Sequence, residues 1–134
     1  MLFDERGFET LEAAITLPIA CMVLVGAVNL GMVAYAGQMA QEAARHGVRM
    51  GSVAQVDPIG VAVQEALNFA QATFSIGNPR VIPLAPGGVA GSVLRIRVTY
   101  EVPNLFGGLL GLFPGLPSGP FIVVGEAAMR QEGW

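Results

Sequence analysis

Lysine is absent from this chain: all seven basic residues are Arg, and ten acidic residues bring the formal net charge to -3. So few cations cannot form the basic stripe that follows a nucleic-acid backbone, so no nucleic-acid partner is expected. A single cysteine, Cys21, excludes an internal disulfide and leaves the redox compartment open. With one His and one Cys, no Cys/His zinc centre can be built. His46 lies between Arg45 and Gly47, far in sequence from any nucleophile and acid that it could serve. Gly87, Gly88 and Gly91 lack the preceding strand and following Lys of a phosphate loop and read as a turn. Tyr35, Tyr100 and Trp134 are the only Tyr and Trp, too few to line an aromatic pocket. The expectation is a non-enzyme, with no catalytic residue, no metal ligand set and no cofactor.

What is abundant is apolar. Hydrophobic residues make up 53% of the 134, charged residues 13%, and the mean hydropathy is +0.58. The excess is concentrated in an uncharged run from Ala13 to Gly37. At about 1.5 Å per residue this run spans about 37 Å as a helix, enough for a hydrocarbon core of about 30 Å with some tilt. It is roughly twice as long as the apolar region of a secretory signal. Its N-terminal flank MLFDERGFE sets one Arg, Arg6, against Asp4, Glu5 and Glu9, the reverse of a basic signal region. A retained membrane helix is the expected reading. Arg6 precedes the span while Arg45 and Arg49 follow it. Taken alone, that one-Arg bias would place the C-terminal side in the cytoplasm, and it is too slight to decide orientation.

Good helix formers and no proline continue through GQMAQEAARHGVRMG, which predicts one helix from about Phe8 to Met50, stopped by Gly51 and Ser52. Asp57 and Pro58 supply a cap and a first-turn proline for a second helix over 58–74. Its apolar stripe is Ile59, Val63, Leu67, Ala70 and Phe74. VLRIRVTYEV, 93–102, alternates as a strand: Leu94, Ile96, Val98, Tyr100 and Val102 face one side, with Arg95, Arg97, Thr99 and Glu101 on the other. FIVVGEAAMRQ, 121–131, reads as a strand with a blurred period, and RVIPL, 80–84, as an edge strand because of Pro83. The fold class is α+β: a long N-terminal transmembrane and juxtamembrane helix, a second short helix and a small antiparallel sheet.

Two further features stand out. Small residues recur four apart along the long helix: Ala36, Ala40 and Ala44 on one ridge, Ala43, Gly47 and Gly51 on another, with Ala27 and Gly31 nearer the N-terminus. Such ridges let helix backbones approach closely. The segment PNLFGGLLGLFPGLPSGP, 103–120, joins two strands that a few residues could link, and it is too rich in Gly and Pro for a helix. Its Leu105, Phe106, Leu109, Leu110, Leu112, Phe113 and Leu116 are expected to form a contact surface. The competing expectation is that the loop folds back as core.

Gly7, Phe8 and Glu12, followed by an apolar helix carrying Pro18, resemble the type IV prepilin pattern, in which a membrane peptidase cuts after Gly. The AARHGVR run at 43–49 and the closing AAMRQE at 127–132 make the chain more specifically similar to the TadE-like pseudopilins of tight-adherence (Flp) pilus systems. The resemblance implies a leader over 1–7, a helix over 8–51 and a small exported α+β domain over 52–134. It implies processing between Gly7 and Phe8, and a pairing of Glu12 with the new N-terminal amine of a neighbouring subunit that aligns subunits axially. The partners implied are a prepilin peptidase, other pilin or pseudopilin subunits, the pilus assembly platform and membrane lipid. The location implied is the inner membrane, single-pass, with the C-terminal domain outside the cytoplasm. A rival function is a single-pass anchored binding module, which would have no reason to lose residues 1–7.

Overall fold

No proline interrupts the sequence between Pro18 and Pro58. In the computed structural model, which describes residues 5–73, 76–110, 115 and 118–132, one helix runs unbroken from Glu5 to Ser52 (α1). Its 48 residues extend about 72 Å. Ser52 ends it, its hydroxyl donating to the Arg49 carbonyl at 2.9 Å. Asp57, at a φ of 49°, then caps the second helix: its carboxylate accepts from the Gly60 amide at 3.1 Å. The helix proper, α2, is Pro58–Thr73.

The sheet has three antiparallel strands in the order β1-β2-β3. β1 is Arg80–Pro86, β2 is Val93–Val102 and β3 is Phe121–Arg130. β2 is central, and the residues its alternation assigned to the inner face, Leu94, Ile96, Val98, Tyr100 and Val102, are all fully buried. β1 is an edge, as Pro83 requires, and its register slips between Pro83 and Ala85. Between β2 and β3 the chain forms one helical turn (α3, Gly107–Leu110) where the sequence reading expected none. Asn104 is the cause. Its carbonyl accepts from the Gly107 amide and its side chain from the Phe106 amide, each at 3.0 Å, which starts the turn despite the glycines.

One face of the sheet lies on α2 and on the C-terminal half of α1, and the core forms between these layers. Its helical contribution is almost all alanine: Ala36, Ala40, Ala43, Ala44 and Val48 from α1, with Ala62, Ala66 and Ala70 from α2. The most buried line of α2 is therefore Pro58, Ala62, Ala66 and Ala70, one position round from much of the stripe of larger residues. Ile59, Val63 and Phe69 pack at its margins, and Phe74 lies outside the described residues. The reason is distance. Small side chains at the centre let the helices meet closely, and the larger ones close the sides of the seam.

Candidate membrane and assembly surface

The two halves of α1 meet different surroundings. From Phe8 to Val28 every residue except half-buried Gly26 is exposed, including Leu17 (67%), Val23 (68%) and Leu24 (66%). These 21 residues rise about 30 Å, on the scale of a bilayer's hydrocarbon core, and with Glu9 and Glu12 at their start the uncharged part begins at Ala13. A helix this apolar and this bare fits a single-pass membrane anchor. Beyond Val28 burial begins, and it deepens toward Ser52.

Gly7 and Phe8 lie in the first turns of α1. Glu12 follows Phe8 by four residues, on the same helical face, and is exposed. Pro18 is accommodated within the helix, although it cannot donate the hydrogen bond that the Ala14 carbonyl would otherwise accept.

At the upper end of the bare segment sits Asn29, a polar residue inside the apolar run and only 4% exposed. Its side-chain oxygen accepts from the Leu105 amide at 2.8 Å, and its side-chain nitrogen donates to the Pro103 carbonyl at 3.4 Å. These bonds pin the start of the β2–β3 connection to α1. The Phe106 ring lies one turn earlier, 3.5 Å from where a β-carbon on Gly26 would sit. Of the proposed contact loop, Leu105 is 49% exposed and Phe106 half-buried. The backbone of Leu109 and Leu110 belongs to α3, and Leu112, Phe113 and Leu116 lie outside the described residues.

The small-residue ridges are occupied within the chain. Ala36, Ala40, Ala43 and Ala44 are fully buried. A β-carbon on Gly47 would stand 2.5 Å from the Ala62 carbonyl oxygen and 2.7 Å from the Ala66 β-carbon. On Gly51 it would meet the Pro58 carbonyl oxygen at 2.6 Å and the Ala62 β-carbon at 2.7 Å. Here glycine is required for contact between backbones. Gly31, by contrast, has open space around it, and Ala27 is exposed.

The same intimacy recurs on the sheet side. A β-carbon on Gly125 of β3 would collide with the backbone of Ala40 and Gln41, the Ala40 carbonyl oxygen being 2.5 Å away. Beside it the Gln41 side chain donates to the Glu126 carbonyl at 2.7 Å, satisfying backbone on an edge strand. β3 and α2 thus each close on α1 around the AARHGVR run: Ala43, Ala44, Gly47 and Val48 turn inward while Arg45 and Arg49 face solvent.

Residues 7–49 match the family model of TadE-like proteins. No curated protein and no solved structure matches the chain. The TadE-like segment starts at the Gly7-Phe8 pair and ends at Arg49, so it holds the bare apolar span and most of the part of α1 on which α2 and β3 pack. α2 and the sheet lie beyond it.

The closing AAMRQE run lies outside the TadE-like segment but folds back toward its end. Gln131, 7% exposed, accepts from the Gly88 amide at 2.7 Å and donates to the Ala54 carbonyl at 3.1 Å through its side chain. Its backbone pairs with Ser92 and Gly91, and the Glu132 amide donates to the Ser52 carbonyl. One side chain thereby ties the β1–β2 turn to the link between α1 and α2. Gly87 and Gly88, at φ values of 66° and 103°, give that turn the left-handed backbone it needs. Tyr100 makes a similar tie: its hydroxyl donates to the Ala70 carbonyl at 3.0 Å, one of the last four carbonyls of α2. Burial, and then Tyr35, push the Tyr100 phenol above its ordinary value of 10.0. His46 stacks on Phe69 with ring centres 5.1 Å apart and lies 3.8 Å from Glu65, a packing position between the helices. Among the described residues, no group of three His, Cys, Asp or Glu could hold a metal ion.

Asn29, Gln41, Gly125 and Gln131 were missed by the sequence reading. An Asn in an apolar run and a Gly that breaks a strand's period were the available signals.

Proposed function

We propose that this chain is a pseudopilin that acts in assembling a tight-adherence, type IV-like pilus. The observation that carries the reading is that the TadE-like match begins at Gly7, the residue after which the prepilin pattern is cut. In this proposal a prepilin peptidase removes residues 1–7, α1 stays in the inner membrane, and residues 52–134 form the exported part. Cleavage leaves the Phe8 amine one helical turn from Glu12, and each carboxylate neutralises the amine of a neighbouring subunit, which sets the axial stagger between helices. Pro18 lies between this charged end and the rest of the span. Because Ala36, Ala40, Ala43, Ala44, Gly47 and Gly51 are already covered by the chain's own α2 and sheet, packing between subunits falls to the bare face of α1. Ala27 and Gly31 remain open there for close approach.

The test has two parts. Intact mass of protein extracted from membranes with an active prepilin peptidase should correspond to a chain beginning at Phe8. In the same host, Glu12→Ala should insert and be cleaved as before, since losing a charge only eases insertion, while pilus number falls sharply. An uncut chain, or normal piliation with Glu12→Ala, refutes the mechanism.

A further inference from the structure

We propose that the start of the β2–β3 connection, Pro103–Gly107, is a second membrane contact, immersed in the apolar margin of the bilayer that α1 crosses. The inference rests on α1 crossing a bilayer and not on a role in a pilus. Depth is the first argument. With Glu12 at one edge of the hydrocarbon, Ala13 to Asn29 rises only about 24 Å, short of the roughly 30 Å core. Asn29 and the loop it holds therefore fall within the far margin of the lipid, and Gly26, against which Phe106 rests, lies deeper still.

Hydrogen bonding is the second argument, and it is independent of the first. Non-helical backbone survives at membrane depth only where its polar groups find partners within the protein. Pro103 has no amide hydrogen to satisfy. The next three amides past Asn104 are each paired: Leu105 with the Asn29 side chain, Phe106 with the Asn104 side chain, and Gly107 with the Asn104 carbonyl. The Pro103 carbonyl accepts from Asn29. The amides of this stretch thus find partners within the chain, as lipid immersion requires. Asn29 gains equally, since its amide would be costly in lipid without both partners.

The third argument is the character of the surface. Leu105, 49% exposed, is the side chain left outward where the loop meets α1, and exposed Val25, Val28 and Leu30 lie on the same stretch of the helix. The loop thus adds apolar surface beside the bare side of α1. Lipid is the occupant that every one of these residues already meets at that level.

The experiment uses the full chain in nanodiscs holding one copy each, with Cys21→Ser and single cysteines carrying a nitroxide at Val23, Leu105 or Val89. Val23 and Val89, both exposed, mark the middle of the span and the far tip of the sheet. Leu105 should resemble Val23, with severalfold greater accessibility to dissolved oxygen than to a water-soluble nickel chelate, whereas Val89 should show the reverse. A Leu105 label that behaves like Val89 overturns the proposal. So does one shielded from both reagents, because the position would then be covered by protein. If Val23 itself reports water, α1 does not cross the disc and the proposal falls with that reading. Failure at Leu105 alone leaves the anchor and the pilus role standing.

Discussion

Gly125→Ala adds one methyl group to β3 and should be among the most damaging small changes available to this protein. The added carbon would sit 2.5 Å from the Ala40 carbonyl oxygen, with the backbone of Gln41 equally in the way. None of these atoms belongs to a side chain that can rotate aside. Relief requires β3 and α1 to part by about 1 Å, which stretches the 2.7 Å Gln41–Glu126 bond beyond hydrogen-bonding range. Overpacking of this kind costs about 1–3 kcal/mol, and the lost hydrogen bond about 0.5–1.5 kcal/mol. Against this stands a gain of about 0.5–1 kcal/mol from replacing glycine within a strand. The net expectation is a loss of about 2 kcal/mol, which lowers the midpoint of a domain this size by about 8–16 °C. Thermal melts of the full chain in detergent micelles, followed by near-ultraviolet circular dichroism, would measure it. Gly31→Ala is the control, with nothing within 4 Å of the added carbon, and should leave the midpoint unchanged or raise it. An unaltered midpoint for Gly125→Ala would show that α1 and β3 are not in backbone contact.

Gln131→Ala should cost about 1–2 kcal/mol in the same melts, because it removes the partners of the Gly88 amide and the Ala54 carbonyl at once; Gln131→Glu restores only the acceptor and should recover part of the loss. Tyr100→Phe should lower stability by about 1 kcal/mol by uncapping α2 at Ala70. The Tyr100 phenol also predicts the alkaline limit. Its folded value is raised above 10.0, so its contribution is fully present below pH 10 and is lost as pH climbs through the folded value. Stability measured from pH 9 to 11.5 should fall less steeply in Tyr100→Phe than in the parent chain, and parallel curves would refute the assignment.

β2 was readable from the chain because it is the one strand with a buried and a solvated side along its whole length; its cross-strand partners leave Arg97 to pair with Glu126 on the outer face. β3 was blurred for a physical reason. Its outward positions carry apolar Ile122 and Val124 as well, and at Gly125 the inward position needs absence of a side chain, so the sequence does not show the alternation that the strand keeps. The ridges of Ala and Gly on α1 were equally visible, but spacing cannot say what faces them, and here it is the same chain's α2 and β3. Asn29 and Gln131 were not legible as structural ties, since Asn29 meets Leu105 76 positions away and Gln131 meets Ala54 77 positions away. Glu12 is the opposite case. It was conspicuous in the sequence, and within a single chain it stands exposed.

The unbroken course of α1 from the bilayer into the sheet has a mechanical consequence. No linker separates the bare apolar span from the part of α1 that carries α2 and the sheet, so a pull or a twist on the packed domain reaches the span with no slack to absorb it. The backbone rungs of the helix carry such a load in series, and the missing rung is at Pro18, where Ala14 lacks its usual donor. Yielding is therefore confined to the end that bears Phe8 and Glu12. That end can swing while the 34 residues above it, Ile19 to Ser52, move as one shaft.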